Sequence, residues 1–333
     1  MNSIDKTLGC LAGLALGDAL GMATEFLTPE QIKKEFSWLD RLRPAPAWHP
    51  HAPMQAGEVT DDTRQMLAVA HAYDTQGVLT ADAVAQQLLG WEASNDNSVQ
   101  LCMGPSTHQA LEKLRHGIPP TETGRAGKTN GAAMRTAVVG LMTAGHPDAT
   151  LDDVVAASLP THGTGVAIAG AAAVACAVAE ATTEKATLTS ILEAARWGAQ
   201  EGFKRGAWAW STPLEGRIEL AERLVREADD LQDALKDIYR YVGTDMLVAE
   251  SVAAAFGVFM LAGGNPMKAV VLGANIGGDT DTIAAIAGAV SGAWQGVEAI
   301  DAGMLAQVEK VNGLDLKEEA RRLTSIIESK RHS

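Results

Sequence analysis

Gly9, Gly13, Gly17 and Gly21 punctuate the first apolar segment, one glycine every fourth residue. Residues four apart stack on one face of an α-helix, so that face carries no side chains and a second backbone can approach it closely. Such a helix belongs at the tightly packed centre of a core. Ala-rich segments with apolar residues at helical spacing follow at Asp61–Tyr73, Ala81–Trp91, Thr107–Leu114, Asn130–Ala144, Thr187–Arg205, Arg217–Glu227 and Glu250–Leu261. Alternating strand patterns with hairpin signals are missing. Aromatic residues make up only 5% of the chain, and its β-branched residues are scattered among Ala and Leu, which argues against a sheet. The expected fold is all-α, and with no composition shift, repeat or linker to divide it, residues 1–333 read as a single domain.

Charge narrows the partners. With 27 Lys and Arg against 41 Asp and Glu, the formal net charge is −14, and phosphate backbones and anionic membrane surfaces call for the opposite sign. Neither nucleic acid nor a membrane is an expected partner. The longest nearly uncharged run, Thr164 to Ala179, falls short of the ~20 residues of a bilayer span and reads as a buried helix. Three cysteines, Cys10, Cys102 and Cys176, form no CxxC and no disulfide framework, which fits a reducing cytoplasm. The N-terminus has no basic region leading to a cleavage site, so no signal peptide is expected. Pro44, Pro46, Pro50 and Pro53 mark a long loop over Arg43–Met54, and Pro119, Pro120, Gly124 and Gly127 another over Gly117–Gly131.

Two clusters carry the chemistry. Thr60-Asp61-Asp62-Thr63 opens the helix Arg64–Tyr73, and Gly277-Gly278-Asp279-Thr280-Asp281-Thr282 opens the helix Ile283–Ala293. Each alone reads well as an N-cap with acids favoured by the helix dipole. A cap needs one oxygen, however, and the second acid and extra hydroxyls of each cluster go beyond it. Carboxylate and hydroxyl oxygens without thiolates or a paired-His motif are hard ligands, suited to Mg²⁺, Mn²⁺ or Ca²⁺. Were the two helix starts to converge, Asp61, Asp62, Asp279 and Asp281 could hold two ions at the ~3.5–4 Å separation of two-metal hydrolytic sites.

Taken in order, Gly17-Asp18-Ala19-Leu20-Gly21 with Glu25, then Gly57-Glu58-Val59-Thr60-Asp61-Asp62-Thr63, Asn130-Gly131-Ala132-Ala133-Met134-Arg135, Thr161-His162 and Gly277–Thr282 resemble the signature of the ADP-ribosylglycohydrolase family. The resemblance implies that family's all-α orthogonal bundle and a binuclear Mg²⁺/Mn²⁺ site ligated by Thr60, Asp61, Asp62, Asp279, Asp281 and Thr282. It implies hydrolysis of a C1″ glycosidic bond, releasing ADP-ribose from an acceptor such as an arginine of an ADP-ribosylated protein. Two other readings stand beside it: hydrolysis of a small N-ribosyl metabolite, and a non-catalytic ADP-ribose binder. The oligomeric state stays open, with a monomer as the simplest case.

By the same resemblance Glu25 and Asp62 are the candidate catalytic residues, Glu25 as general acid/base or gate, against a solvated Glu at a helix end. Asp18 supports the site by hydrogen bonding, or packs a helix. Asn130, Gly131 and Ala132 line the diphosphate or distal ribose, against an ordinary Gly-rich helix start. The Gly127–Gly131 loop is no P-loop, because Glu122 stands where that motif needs Gly. Arg135 reads as a phosphate contact or as a brace for an acidic loop, and His162 as a ribose neighbour or a structural residue. Trp208 and Trp210 read as a stacking platform or, in the simpler alternative, as core. Two departures stand out: Leu101, Cys102 and Met103 where several relatives carry an acid, and Ala132 and Ala133 after Gly131, a less Gly-rich loop.

Overall fold

The computed structural model describes residues 3–94 and 96–332, and there the glycine stripe sits where its spacing demands. The opening helix, Ser3–Gly21, runs antiparallel to the helix Thr280–Gln295. A Cβ added at Gly9, Gly13, Gly17 or Gly21 would fall about 2.2–2.4 Å from a carbonyl oxygen of the facing helix. Gly288 and Gly292 answer from the other side, against the carbonyls of Gly13 and Gly9. The contact is backbone on backbone, and it has a consequence for function: the end of one helix, Gly21, is pinned to the start of the other, Thr280 and Asp281.

Around this pair the architecture is helical throughout the described residues, with two isolated bridges, Thr129 to Leu247 and Thr164 to Ala207, as the extended pairing found there. The helix Gly165–Ala181 is buried on all sides except at Glu180, as expected of a helix that is apolar all round. Gly198 and Gly202 let the helix Leu188–Phe203 approach it, facing the carbonyls of Ala172 and Ile168. Its last carbonyls, of Ala181, Thr182 and Thr183, accept from Lys6 Nζ at 3.0–3.1 Å. A cation there satisfies orphan acceptors and suits the negative end of the helix dipole. No helix is long and apolar enough to cross a membrane among the described residues, and the three cysteines are free.

Most expected helices appear with ends shifted by one to three residues: Asp61–Ala72, Ala81–Glu92, Pro105–Arg115, Leu188–Phe203, Leu214–Glu227 and Val248–Leu261. The expected Asn130–Ala144 helix is different. It divides into a 3₁₀ turn, Asn130–Arg135, and a short α-helix, Ala137–Met142. The turn is gripped by tertiary hydrogen bonds at both ends: the Asn130 amide donates to the Met246 carbonyl, and Arg135 is anchored to Gln65 and Ala157. Those bonds override local α propensity. The Gly117–Gly131 stretch, expected as loop, contains a four-residue helix at Pro120–Thr123.

Candidate functional site

The two acidic helix starts do converge. Asp18, in the last turn of the opening helix, accepts from the Thr60 amide (2.8 Å), the Thr63 amide (3.0 Å) and the Thr63 hydroxyl. It therefore caps the Asp61–Ala72 helix from a neighbouring element, which is the supporting hydrogen-bond role, and the local acids are released from that task. Thr60 Oγ accepts from the Asp62 amide at 3.3 Å, so the cap reading does hold for this hydroxyl. At the second cluster it fails: Asp279 occupies the N-cap position of the Thr280–Gln295 helix but makes no capping hydrogen bond. Its carboxylate accepts from Asn130 Nδ2 instead, and Asn130 is steadied by donating to Ser251 Oγ at 2.8 Å.

Thr282 spans the clusters, its hydroxyl donating to Asp62 Oδ1 at 3.3 Å. Glu25, Asp279 and Asp281 each offer an oxygen within 4.8 Å of the others. Glu25 is buried, not the solvated end of a helix. Burial first, and then the charge of Asp281, push the carboxyls of Glu25, Asp61, Asp62 and Asp279 well above the usual carboxylate range. Asp18 is raised to about 7 by the same two causes. Two carboxylate oxygens, Asp62 Oδ2 and Asp281 Oδ1, are buried without a protein hydrogen-bond partner. That is a costly arrangement for a chain to keep, and the donor set is the hard, all-oxygen kind that suits Mg²⁺ or Mn²⁺.

Arg135 is fully buried, its guanidinium lowered to about 9 by burial, against the pull of Asp61. It donates to Gln65 Oε1 (2.7 Å), Ala157 O (2.8 Å) and Thr161 Oγ (2.7 Å). Gln65 Nε2 in turn donates to Asp61 Oδ2 at 2.8 Å. Of the two readings of this arginine the structure selects the brace. The phosphate reading is corrected, because its hydrogen bonds go to these protein acceptors and none of its surface reaches solvent. His162 is buried between Thr161 Oγ (2.8 Å) and Thr129 Oγ (2.9 Å), and burial first, then Arg135, lower it to about 3. Its ring fills the space where Gly131 lacks a side chain, since a Cβ there would meet the imidazole at 2.5 Å. Ala132 is buried beside it in the apolar core.

Trp208 and Trp210 correct the core alternative: they are 83% and 80% exposed, on the segment joined to Thr164 through Ala207. Leu101 and Cys102, where relatives carry an acid, pack on Met22 and Met54 as apolar wall. Sequence reasoning missed Gln65, Ser251, and the pair His49 and His51. His49 Nε2 lies 2.6 Å from the Glu25 carbonyl, and His51 Nδ1 lies 3.4 Å from Glu25 Oε2. The signal for the histidines was their place in a Pro-rich loop that no core pattern explained.

Helix starts that bring an all-oxygen acidic cluster together give an all-α protein with a candidate site for hard cations, and this chain belongs to the ADP-ribosylglycohydrolase family, whose profile matches residues 1–332. It is 37% identical to the uncharacterized protein YegU of Escherichia coli K12, with 96% of each chain covered. It is 27% identical to the ADP-ribosyl-[dinitrogen reductase] glycohydrolase of Rhodospirillum rubrum (92% of this chain, 90% of that one) and 29% identical to the ADP-ribosylarginine hydrolase Tri1 of Serratia proteamaculans (94% and 78%). A solved ADP-ribosylglycohydrolase-related protein complex is similar with a TM-score of 0.68 and 26% identity, covering 99% of this chain and 98% of that one.

Proposed function

We propose that the acidic cluster holds two divalent cations, Mg²⁺ or Mn²⁺, and that the protein hydrolyses a C1″ N-glycosidic bond, releasing ADP-ribose from an ADP-ribosylated acceptor such as arginine. The observation that carries this reading is the pair of unpartnered buried oxygens, Asp62 Oδ2 and Asp281 Oδ1, in a cluster of buried acids whose buried neighbour Arg135 donates to Gln65 and Thr161. The names of the Rhodospirillum and Serratia relatives support the substrate class. Thr60, Asp61, Asp62, Asp279, Asp281 and Thr282 supply the ligand oxygens. Thr282 gives its proton to Asp62, leaving its lone pairs for a cation.

When bound, such ions supply Lewis-acid polarisation and a more acidic water. The remaining work belongs to side chains. Glu25, buried and poised above the usual carboxylate range, takes and returns a proton at its carboxylate, with Asp62 as the second acid of the pair. Asn130 fixes the carboxylate of Asp279 through Nδ2. By the family resemblance Asn130, Gly131 and Ala132, with His162 packed against Gly131, line the diphosphate or distal ribose.

The test is ADP-ribose release from ADP-ribosyl-arginine with Mn²⁺ or with EDTA. Release should require the metal and fall by at least about 100-fold in D281N, the size expected for loss of one directly acting group. Turnover of simple N-ribosides with none of ADP-ribosyl-arginine would replace this substrate, and equal activity in EDTA would remove the metal reading.

A further inference from the structure

The Pro-rich loop over Arg43–Met54 has no part in the proposed chemistry, yet it delivers two buried histidines to one residue. His49 Nε2 faces the carbonyl oxygen of Glu25 at 2.6 Å. A carbonyl only accepts, so Nε2 carries the proton. His49 Nδ1 accepts from the His51 backbone amide at 3.1 Å, which makes His49 a neutral ring and ties it to its neighbour. His51 Nδ1 lies between two further acceptors, Met22 O at 3.3 Å and Glu25 Oε2 at 3.4 Å. Met22 O only accepts, so Nδ1 carries the proton there with Glu25 Oε2 at ion-pair distance beside it, and the other nitrogen, Nε2, lies 3.9 Å from Cys102 Sγ.

The backbone that bears Glu25 needs holding. Phe26, next in the chain, has a left-handed φ of +63° and is half-exposed, a conformation costly for a bulky residue. Two bonds tie this turn to the second acidic cluster: the Phe26 amide donates to Gly278 O (2.7 Å) and the Gly278 amide to Leu27 O (2.9 Å). Phe26 stacks on His49 with ring centroids 6.3 Å apart and tilts over His51 at 5.8 Å. The histidines thus grip the strained turn on three sides: carbonyl, carboxylate and neighbouring ring.

We propose that His51, seconded by His49, is a positioning residue for Glu25, committing one carboxylate oxygen to the loop so that the other is aimed at the acidic cluster. The inference rests on the reading of Glu25 as a working group in that cluster. Groups that orient a ligating or acting side chain typically cost about 10–100-fold in metal affinity or activity when removed. A histidine that merely fills space would change stability alone.

The test compares H51L, which removes the donor, with H51N, whose amide nitrogen stands near the place of Nδ1. Mn²⁺ affinity is read by calorimetry and turnover on ADP-ribosyl-arginine by initial rates. H51L should lose about 10–100-fold in kcat and in Mn²⁺ affinity, with KM little changed, and H51N should recover most of both. In an E25A background H51L should cost nothing further, because the side chain it positions is gone. Wild-type kcat and Mn²⁺ affinity in H51L, or an equal loss with and without Glu25, would overturn the proposal. Should the wild-type protein bind no Mn²⁺ and release no ADP-ribose, the proposed function falls, and the positioning role is judged by side-chain ¹⁵N spectra of the metal-free protein. There His51 must show an Nδ1-protonated ring whose signals move in E25Q; a different tautomer or unmoved signals would overturn it, whatever becomes of the chemistry.

Discussion

At the scale of single residues, the site is built by side chains that hold other side chains. Arg135 is the clearest case: its charge is spent on Gln65, Ala157 and Thr161, and only through Gln65 does it reach Asp61. Replacing it with Met keeps the bulk but takes the Arg135 donors from two buried acceptors, Gln65 Oε1 and Ala157 O, each worth ~1–3 kcal/mol when left unpaired, while Thr161 Oγ keeps His162. R135M should therefore cost several kcal/mol of unfolding free energy, read as a lower urea midpoint, while R135K, with one cationic donor group, should recover part of it. A phosphate-binding arginine would behave otherwise, weakening ADP-ribose binding with little change in the urea midpoint. The sequence left Arg135 open between brace and phosphate contact because both need a cation near an acidic loop, and only burial separates them. Asp61, Asp62 and the Asp279–Thr282 run were legible as hard donors from residue type, and Glu25 only through the family resemblance. His49 and His51 were not, since their partner Glu25 lies more than twenty residues away and nothing local marks the pairing.

At the scale of helices, glycine's effect changes sign with what faces it. In an exposed helix interior Ala is better than Gly by about 0.5–1 kcal/mol. Gly90, in the helix Ala81–Glu92, is exposed with no heavy atom within 4 Å of an added Cβ, so G90A should raise the unfolding free energy by that amount and the urea midpoint with it. Gly13 has the same helical preference working for Ala, but its Cβ would strike the Gly288 backbone, and overpacking of this kind costs ~1–3 kcal/mol or more. G13A should lower the midpoint; a neutral or stabilising result would mean the helix pair is loosely packed. The spacing of Gly9, Gly13, Gly17 and Gly21 announced this contact, though not its partner, because an empty face does not say which backbone fills it. The C-terminal helix Leu316–His332 docks by a different device. Glu319 pairs with Arg322 at 2.6 Å and His71 at 3.4 Å, and Arg322 donates to Ala70 O at 2.7 Å. Burial pushes the Glu319 carboxyl up, but bonds from His71 and Arg322 outweigh it and hold it near about 2, below its ordinary 4.5. A depressed carboxyl contributes stability above its unfolded value and loses it as pH falls towards the folded one. E319Q should thus be less stable than wild type at pH 7, by an amount that narrows between pH 4.5 and 2; a constant gap would assign the loss to packing.

At the scale of the molecule, the acidic cluster works against the fold that carries it. The convergence of two helix starts some 220 residues apart in sequence could not be read from spacing; it follows from the Gly-on-Gly helix pair, which pins Gly21 beside Asp281, and from Asp18 capping a third element. Burial and mutual charge then raise Glu25, Asp61, Asp62 and Asp279, and lift Asp18 to about 7. For a raised acid the folded state keeps a proton the unfolded chain has already released, so stability falls as pH climbs from about 4 through the raised value. In EDTA the thermal midpoint should accordingly drop between pH 5 and pH 8. D62N, which removes one of these charges, should be more stable than wild type at pH 8 under those conditions. Mn²⁺ should reverse both trends, because it binds the ionised cluster and must compete with protons: at a concentration 100 times its Kd it adds about 2.7 kcal/mol, more at pH 8 than at pH 5 and little in D62N. Calorimetric scans at the two pH values, with EDTA or Mn²⁺, decide the matter. A metal-free midpoint that rises with pH, or a D62N protein gaining as much from Mn²⁺ as wild type, would mean that these acids are stabilised by the chain itself and are not held in readiness for cations.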